Sequence, residues 1–221
     1  GHILNEYISQ EGEDSYYNVL LAVASGEIED ISDIKLNGNP ITNYDGITTY
    51  ERYGTNSDAL IPHFEDLHNL YSLSNIELTK NNAYQLTTLD ADVEGFELHL
   101  GIVGGLFAQE DNQGIQSWSV GFRVRYKLES SGTWTDLGVT TISKKTRSTI
   151  KYIFRKDGLD AGKYDIEVTR TTDDPDFTHF GDLYLQHVDE LKTADLIYPN
   201  VAKLAVRALA VEQLSGSAPT I

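Results

Sequence analysis

Apolar and polar residues alternate most regularly in the middle of the chain. In residues 118–128, WSVGFRVRYKL, every second side chain is apolar and the residues between them are polar or glycine. A period of two places the apolar side chains on one face of a β-strand, which no helix does. The same alternation recurs in residues 95–102, 149–156 and 163–171. These segments are therefore predicted to be β-strands with one buried face.

Turn-forming residues separate these segments and indicate how the strands pack. Small and polar residues cluster at 110–112, 130–132, 157–158 and 173–175. A single sheet would leave one apolar face in water, whereas two facing sheets bury it at about 25 cal/mol per Å² of apolar area. Short alternating strands at this spacing are typical of a β-sandwich, which we assign to residues 76–195.

The first third of the chain combines predicted strands with one predicted helix. Residues 17–24, YNVLLAVA, form a short apolar run that is typical of a strand buried on both faces. The dipeptide Asn37–Gly38 favours the positive φ angles of a type I′ turn and predicts a hairpin. Residues 47–53 alternate like a half-exposed strand. In residues 61–75 apolar side chains recur at helical spacing, so one short helix is predicted there.

The apolar run near the C-terminus, residues 201–211, fits two structures. Leu204, Ala208 and Val211 recur at three- and four-residue intervals, as on one face of a helix. The same run follows Tyr198–Pro199, which favours an extended entry, and it contains several β-branched valines. Periodicity alone therefore leaves both helix and strand open.

Charge and composition exclude several functions. The chain has 34 Asp and Glu against 17 Lys and Arg, a formal net charge of −17, which repels phosphate. Direct nucleic-acid recognition is therefore not expected. The absence of cysteine excludes disulfides, thiolate zinc sites and thiol nucleophiles. No apolar stretch approaches the roughly 20 residues of a membrane-spanning helix, so no membrane span is predicted.

Two segments resemble metal sites without completing the pattern. His63 and His68 are five positions apart, unlike the i, i+4 pair of HExxH, so they do not share a helix face. Residues 90–101 begin like a calcium-binding loop, but Gly101 stands where the bidentate Glu is required. We therefore predict no metal site.

The acidic residues do not single out a catalytic pair. Glu94, Glu97 and Asp182 are interpreted as solvated charges at strand edges, since no spacing distinguishes two of them. The sequence lacks a GxSxG nucleophile elbow, a phosphate-binding P-loop and a GxGxxG motif. Gly104–Gly105 in IVGGLF is interpreted as a strand break or bulge. No enzyme activity, no cofactor and no catalytic residue are predicted.

Aromatic residues leave an alternative function open. Trp134, Tyr16, Tyr44 and Tyr53 lie in loop-like or edge contexts, where rings can stack on sugars, although core packing is the commoner role of such side chains. The alternative prediction is therefore a carbohydrate-binding β-sandwich module at the host surface, making weak glycan contacts.

Short motifs occur in a characteristic order along nearly the whole chain. The first three are VLLAVASGEIEDI, SDIKLNGNPI and TTYERYG, and the next three are VGGLF, VRYKLESSGTWTDLG and YDIEVTRTTDD. The closing motif is the most specific: YPN, an alternating AKLAVRA segment, then EQLSG and a PT pair. Its family-motif residues are Tyr198, Pro199, Asn200, Gly216 and Pro219. On these motifs the chain resembles the tip attachment (host-specificity) protein J family, the central tail hub protein of long-tailed bacteriophages.

The resemblance implies a fold. In this family the segment after YPN is a strand that returns from an inserted β-sandwich to the hub domain. Residues 1–75 and 196–221 are then one discontinuous hub domain, and residues 76–195 are the insertion. The fold class expected is mainly β, a β-sandwich inserted into a small discontinuous β-rich hub domain, with one short helix.

The resemblance also implies a role and partners. The chain is expected to be a structural segment of a phage or prophage tail tip in the virion, acting in tail assembly and in the host attachment apparatus. Expected partners are two further copies in a homotrimer of the full-length protein, and the distal tail ring and tape measure proteins. The receptor-reading region lies far downstream in this family, so direct host recognition is not implied for this chain.

Overall fold

The fold is mainly β. A computed structural model describes residues 1–12, 14–64, 66–109, 114–193 and 198–210. The strands in chain order are β1 (His2–Glu11), β2 (Asp14–Ser25), β3 (Lys35–Leu36), β4 (Asn39–Pro40), β5 (Ile47–Tyr53), β6 (Asp66–Glu77), β7 (Tyr84–Thr87), β8 (Gly95–Ala108), β9 (Trp118–Leu128), β10 (Thr135–Lys144), β11 (Ile150–Lys156), β12 (Tyr164–Arg170), β13 (His179–Thr193) and β14 (Val201–Leu209).

The chain divides into two compact units. Unit 1 comprises the described residues of Gly1–Asp66 and Thr193–Ile221, and unit 2 comprises Leu67–Lys192. Across the described ranges, the helical structure is one 3₁₀ turn at Ile41–Asn43, and no helix is long and apolar enough to cross a membrane.

Unit 1 is built on a four-stranded antiparallel sheet with the order β1-β2-β14-β5. Strand β14 pairs with β2 on one side and with β5 on the other, so that Val206 lies opposite both Val19 and Thr49. The two central strands are buried on both faces. One face carries Val19, Leu21, Leu204 and Val206, and the other carries Leu20, Ile61, Phe64 and Ala205. This burial explains the continuous apolar runs of β2 and β14 and confirms the strand alternative for residues 201–209.

The predicted hairpin at Asn37–Gly38 is also confirmed. Strands β3 and β4 pair across this dipeptide, with φ angles of 50° at Asn37 and 80° at Gly38. Both angles are positive, as a type I′ turn requires.

The predicted short helix over residues 61–75 is wrong, because strand β6 occupies Asp66–Glu77. The apolar residues that suggested helical spacing belong to different surroundings. Phe64 is buried in the core of unit 1, whereas Tyr71 and Leu73 pack, two positions apart, against the core of unit 2. Leu70, the residue before Tyr71, is 55% exposed. The period of two within β6 was not recognised in the sequence because Phe64, which packs in the core of unit 1, extends the apolar pattern at helical spacing.

Unit 2 is the predicted β-sandwich. One sheet has the order β10-β9-β12-β7 and the other has the order β11-β8-β13-β6. Their facing side chains form one core. Phe122 of β9 makes edge-on contacts with Tyr152 and Phe154 of β11, at ring-centroid distances of 5.8 and 6.1 Å. Along β9 Phe122 and Val124 are buried while Arg123 on the opposite face is half-exposed, as the alternation of 118–128 predicted.

Strand β8 bulges at Gly104–Gly105. Val103 pairs with Asp182 of β13 and Phe107 pairs with Phe180, so four residue steps on β8 match two on β13. Both glycines have positive φ, 80° and 99°. The bulge interpretation of IVGGLF is therefore confirmed.

Candidate functional site

The YPN motif forms the turn that leads into β14. Asn200 adopts a left-handed backbone conformation with φ of 56°, and its carbonyl accepts a hydrogen bond from the Gly26 amide at 2.6 Å. Val201, the next residue, forms a bridge with Gly26. Asn tolerates this conformation better than most residues because its short polar side chain can hydrogen-bond to the local backbone. The turn thereby joins the end of β2 to the start of β14.

Tyr198 also stabilises this turn, through its ring and its backbone carbonyl. Its ring packs on the cluster that contains Leu20 and Phe64. Its carbonyl accepts a hydrogen bond from the Lys203 ammonium at 3.2 Å, and that ammonium also lies 5.9 Å from the ring centroid. Lys203 is only 3% exposed, and burial lowers its pKa while the nearby Asp58 carboxylate opposes this effect. The motif therefore holds a buried cation at the base of β14.

The loop after β5 completes this region of unit 1. The Asp58 carboxylate accepts hydrogen bonds from the Gly54 amide at 2.9 Å and from the Thr55 hydroxyl at 2.6 Å. Burial alone would raise the pKa of Asp58, but these bonds and the cations Lys203 and Arg52 outweigh it and lower the pKa. A Cβ atom at Gly54 would come within 2.5 Å of the Gly26 carbonyl oxygen, so β2 and the end of β5 meet backbone to backbone. The arrangement is one of packing and hydrogen bonding that fixes three strands together.

The five family-motif residues are only partly described. Tyr198, Pro199 and Asn200 lie together at this turn, with Pro199 exposed between them. Gly216 and Pro219 lie outside the described residues.

The loop that begins like a calcium site binds a lysine of the same chain. The Lys192 ammonium lies 2.8 Å from an Asp90 carboxylate oxygen and 2.6 Å from one of Asp92. Asn69 also donates to Asp90. These hydrogen bonds raise the pKa of Lys192, which keeps the ammonium charged. The carboxylates of this loop thus have a cationic partner in Lys192 of the same chain.

A second group of titratable residues is brought together only by the fold. One ligand atom each of His68, Glu97 and Asp189 lies within 4.8 Å of the others, and we call these residues the His–carboxylate cluster. The interpretation of Glu97 as a solvated charge is wrong, because Glu97 is only 7% exposed. Asp189 was not singled out from the sequence, since no local motif relates it to the other two.

The other candidate acidic residues are placed separately. Glu94 precedes β8 and Asp182 lies in β13 opposite Val103, and both are half-buried. His63 belongs to unit 1 and His68 to unit 2.

The aromatic residues considered for sugar stacking contact groups of the protein itself. The Trp134 ring lies 5.4 Å from the Arg125 guanidinium and 5.3 Å from the Lys127 ammonium. The Tyr16 ring is covered by the Arg207 guanidinium at 3.6 Å. The remaining two hydroxyls make hydrogen bonds, Tyr44 to the Leu36 carbonyl at 3.1 Å and Tyr53 to the Glu51 carboxylate at 2.9 Å.

Comparisons with solved structures give only remote similarity. Three chains of infectious bursal disease virus align with this one. The structure of the Gx strain aligns with a TM-score of 0.28 and 8% identity, covering 92% of this chain and 59% of the viral chain. The VP2 subviral particle aligns with a TM-score of 0.26 and 10% identity, covering 89% of this chain and 57% of the viral chain. The structure of the Gt strain aligns with a TM-score of 0.26 and 10% identity, covering 92% of this chain and 57% of the viral chain. The chain spans less than two thirds of these viral chains, and TM-scores of this size carry no inference. No curated protein matches the sequence.

A family model gives the decisive comparison. Residues 72–193 match the model for tip attachment protein J, FNIII-A domain, which is more than half of the 221-residue chain. The matched range begins within β6 and ends at the last residue of β13, so it includes nearly the whole of the β-sandwich. The chain therefore belongs to the tip attachment protein J family of phage tail-tip proteins.

Proposed function

We propose that this chain is a structural segment of the central hub at a phage or prophage tail tip, acting in tail assembly and in the host attachment apparatus. The observation that carries the proposal is the family match over residues 72–193. The construction of unit 1 supports it, since β14 lies at the centre of the sheet and pairs with β2 and β5. A scaffold role needs a rigid body of this kind rather than a reactive cleft.

In this proposal the partners are proteins of the tail. The full-length protein forms a homotrimer at the tail tip of the virion and contacts the distal tail ring and the tape measure. The chain has no catalytic role of its own. Its net charge of −17 supports protein partners over nucleic acid, since phosphate is repelled.

Cross-linking mass spectrometry on intact tails tests the proposal. Exposed lysines on unit 2, such as Lys144 and Lys151, provide reactive positions. We expect cross-links from them to other tail-tip proteins, and a trimer band when the purified full-length protein is cross-linked. Tails lacking the protein should be absent or aberrant at the tip by electron microscopy, and restored by the wild-type gene. Cross-links confined to capsid or tube proteins, or normal tails without the gene, would contradict the proposal.

A further inference from the structure

The His–carboxylate cluster lies on three adjacent strands of one sheet of unit 2. Glu97 of β8 and Asp189 of β13 are direct partners in the antiparallel pairing. Strand β6, which carries His68, is the next strand in the sheet, and His68 Nδ1 lies 2.5 Å from Asp189 Oδ2. Three side chains with metal-binding atoms therefore converge from three strands onto one point.

The two carboxyl groups are buried, and described residues satisfy only part of their hydrogen-bonding capacity. Glu97 and Asp189 are 7% and 5% exposed, so two carboxyl groups from paired strand positions lie away from water. Arg155 donates to Glu97 Oε1 at 2.8 Å, and His68 pairs with Asp189 Oδ2. The second oxygen of Asp189, Oδ1, is buried and has no hydrogen-bond partner among the described residues. A buried, unpaired carboxylate oxygen is costly and points to a further ligand at this position.

The neighbouring groups on the same part of the sheet are histidines. His99 Nε2 lies 3.6 Å from Glu97 Oε2 and is buried, with no hydrogen-bond partner in the part of the chain that the structure describes. The His187 ring lies 5.9 Å from the His99 ring, and its Nδ1 is 3.0 Å from the Ser72 hydroxyl. The surroundings thus offer nitrogen donors beside the two carboxylates, with Arg155 orienting Glu97.

We propose that His68, Glu97 and Asp189 form a binding site for a divalent transition-metal ion of the zinc class. One imidazole nitrogen with two carboxylate oxygens suits Zn²⁺, Co²⁺ or Mn²⁺, whereas Ca²⁺ requires six to eight oxygen ligands and Mg²⁺ an octahedral oxygen shell. Zinc–ligand bonds of about 2.0–2.2 Å require His68 to move slightly away from Asp189. The His68 side chain is 37% exposed and has room for that movement.

Binding at this point would connect β6 to β8 and β13. Among the described strands β6 is at the edge of its sheet and pairs on one side only, so a metal bridge adds a constraint there. An ion that binds the folded state and not the unfolded chain raises the melting temperature in proportion to the logarithm of its concentration above Kd. The site is therefore expected to stabilise unit 2.

Titration of the EDTA-treated chain with ZnCl₂ by isothermal calorimetry tests the site. We expect saturable binding of one Zn²⁺ at this cluster and a rise in melting temperature of several degrees. CaCl₂ and MgCl₂ at the same concentrations should have little effect. His68→Gln and Asp189→Asn should each weaken the binding at least tenfold.

Two matched controls distinguish zinc binding at this cluster from zinc binding by other histidines of the chain. His179→Gln removes a second histidine–aspartate pair, in which Nδ1 lies 3.0 Å from both oxygens of Asp176, and His2→Ala removes the exposed histidine beside the terminal amine. Both variants should retain the binding. Absence of saturable Zn²⁺ binding to the wild type, or its full retention in His68→Gln and Asp189→Asn, would overturn the proposal.

A measurement on a chain that keeps all three cluster residues covers the case in which a cluster variant does not fold. X-ray absorption at the zinc edge, performed on the His2→Ala chain with one equivalent of Zn²⁺, should show one imidazole and oxygen ligands. A first shell without imidazole would overturn the proposal.

Discussion

Asn200 shows how one residue's backbone angle governs the entry to a strand. The residue is exposed, so its φ of 56° is the main constraint on its identity. Replacement by valine, which avoids the left-handed region, is expected to lower the free energy of unfolding of unit 1 by about 1–2 kcal/mol. Urea unfolding followed by circular dichroism measures this change.

Glycine at the same position is the matched control. Asn200→Gly should leave the stability within about 0.5 kcal/mol, because glycine adopts positive φ without steric cost. Equal losses in the valine and glycine variants would instead assign the effect to the lost side chain.

At the scale of one element, the two glycines of the β8 bulge allow backbone strain and steric overlap to be measured separately. Gly104 and Gly105 both have positive φ, but a Cβ atom at Gly104 would meet nothing within 4 Å. A Cβ atom at Gly105 would overlap the carbonyl oxygen of Thr146, which accepts a hydrogen bond from Leu106. We expect Gly104→Ala to cost about 1 kcal/mol from backbone strain and Gly105→Ala about 3 kcal/mol.

Thermal or urea unfolding of the two variants in parallel measures the difference. Gly104→Ala serves as the control, since it carries the strain without the overlap. Equal destabilisation by both substitutions would show that φ alone explains the glycines.

At the scale of the whole molecule, the excess of carboxylates makes stability sensitive to acid. Asp165 lies between Lys127 of β9 and Thr87 of β7, with contacts of 2.8 and 2.6 Å. Hydrogen bonds from Lys127 and Thr87 lower the pKa of Asp165 below the usual value of an aspartate. A carboxyl group with a lowered folded-state pKa contributes stability above the unfolded pKa, and that contribution is lost as pH falls through the folded pKa.

Asp165→Asn is therefore expected to cost about 0.5–1 kcal/mol at pH 7, the usual size of a cross-strand charged pair. The difference from wild type should shrink toward zero below pH 3. Urea unfolding at pH 7, 5, 4 and 3 measures it. A difference that does not change with pH would exclude the ionic contribution of Asp165.

The sequence by itself determined the local structure of this protein. The period of two in residues 118–128, the Asn37–Gly38 turn and the Gly104–Gly105 bulge all followed from residue types within a few positions, because strand pleating and turn angles depend on neighbouring residues. The motifs ending in Tyr198–Asn200 also pointed to the family. Strand β1 was not indicated, since it is an edge strand whose Ile3 and Ile8 are 51% and 76% exposed.

The tertiary structure decided what depends on residues far apart in the chain. Strand β14 lies between β2 and β5, and β6 is a strand rather than a helix. In both cases the secondary structure depends on the neighbouring strands that pair with the segment and bury its apolar side chains. The cluster of His68, Glu97 and Asp189 was equally hidden, since only the strand order and register bring the three side chains together. The spacing of these three residues along the sequence does not indicate which strands pair or in which register.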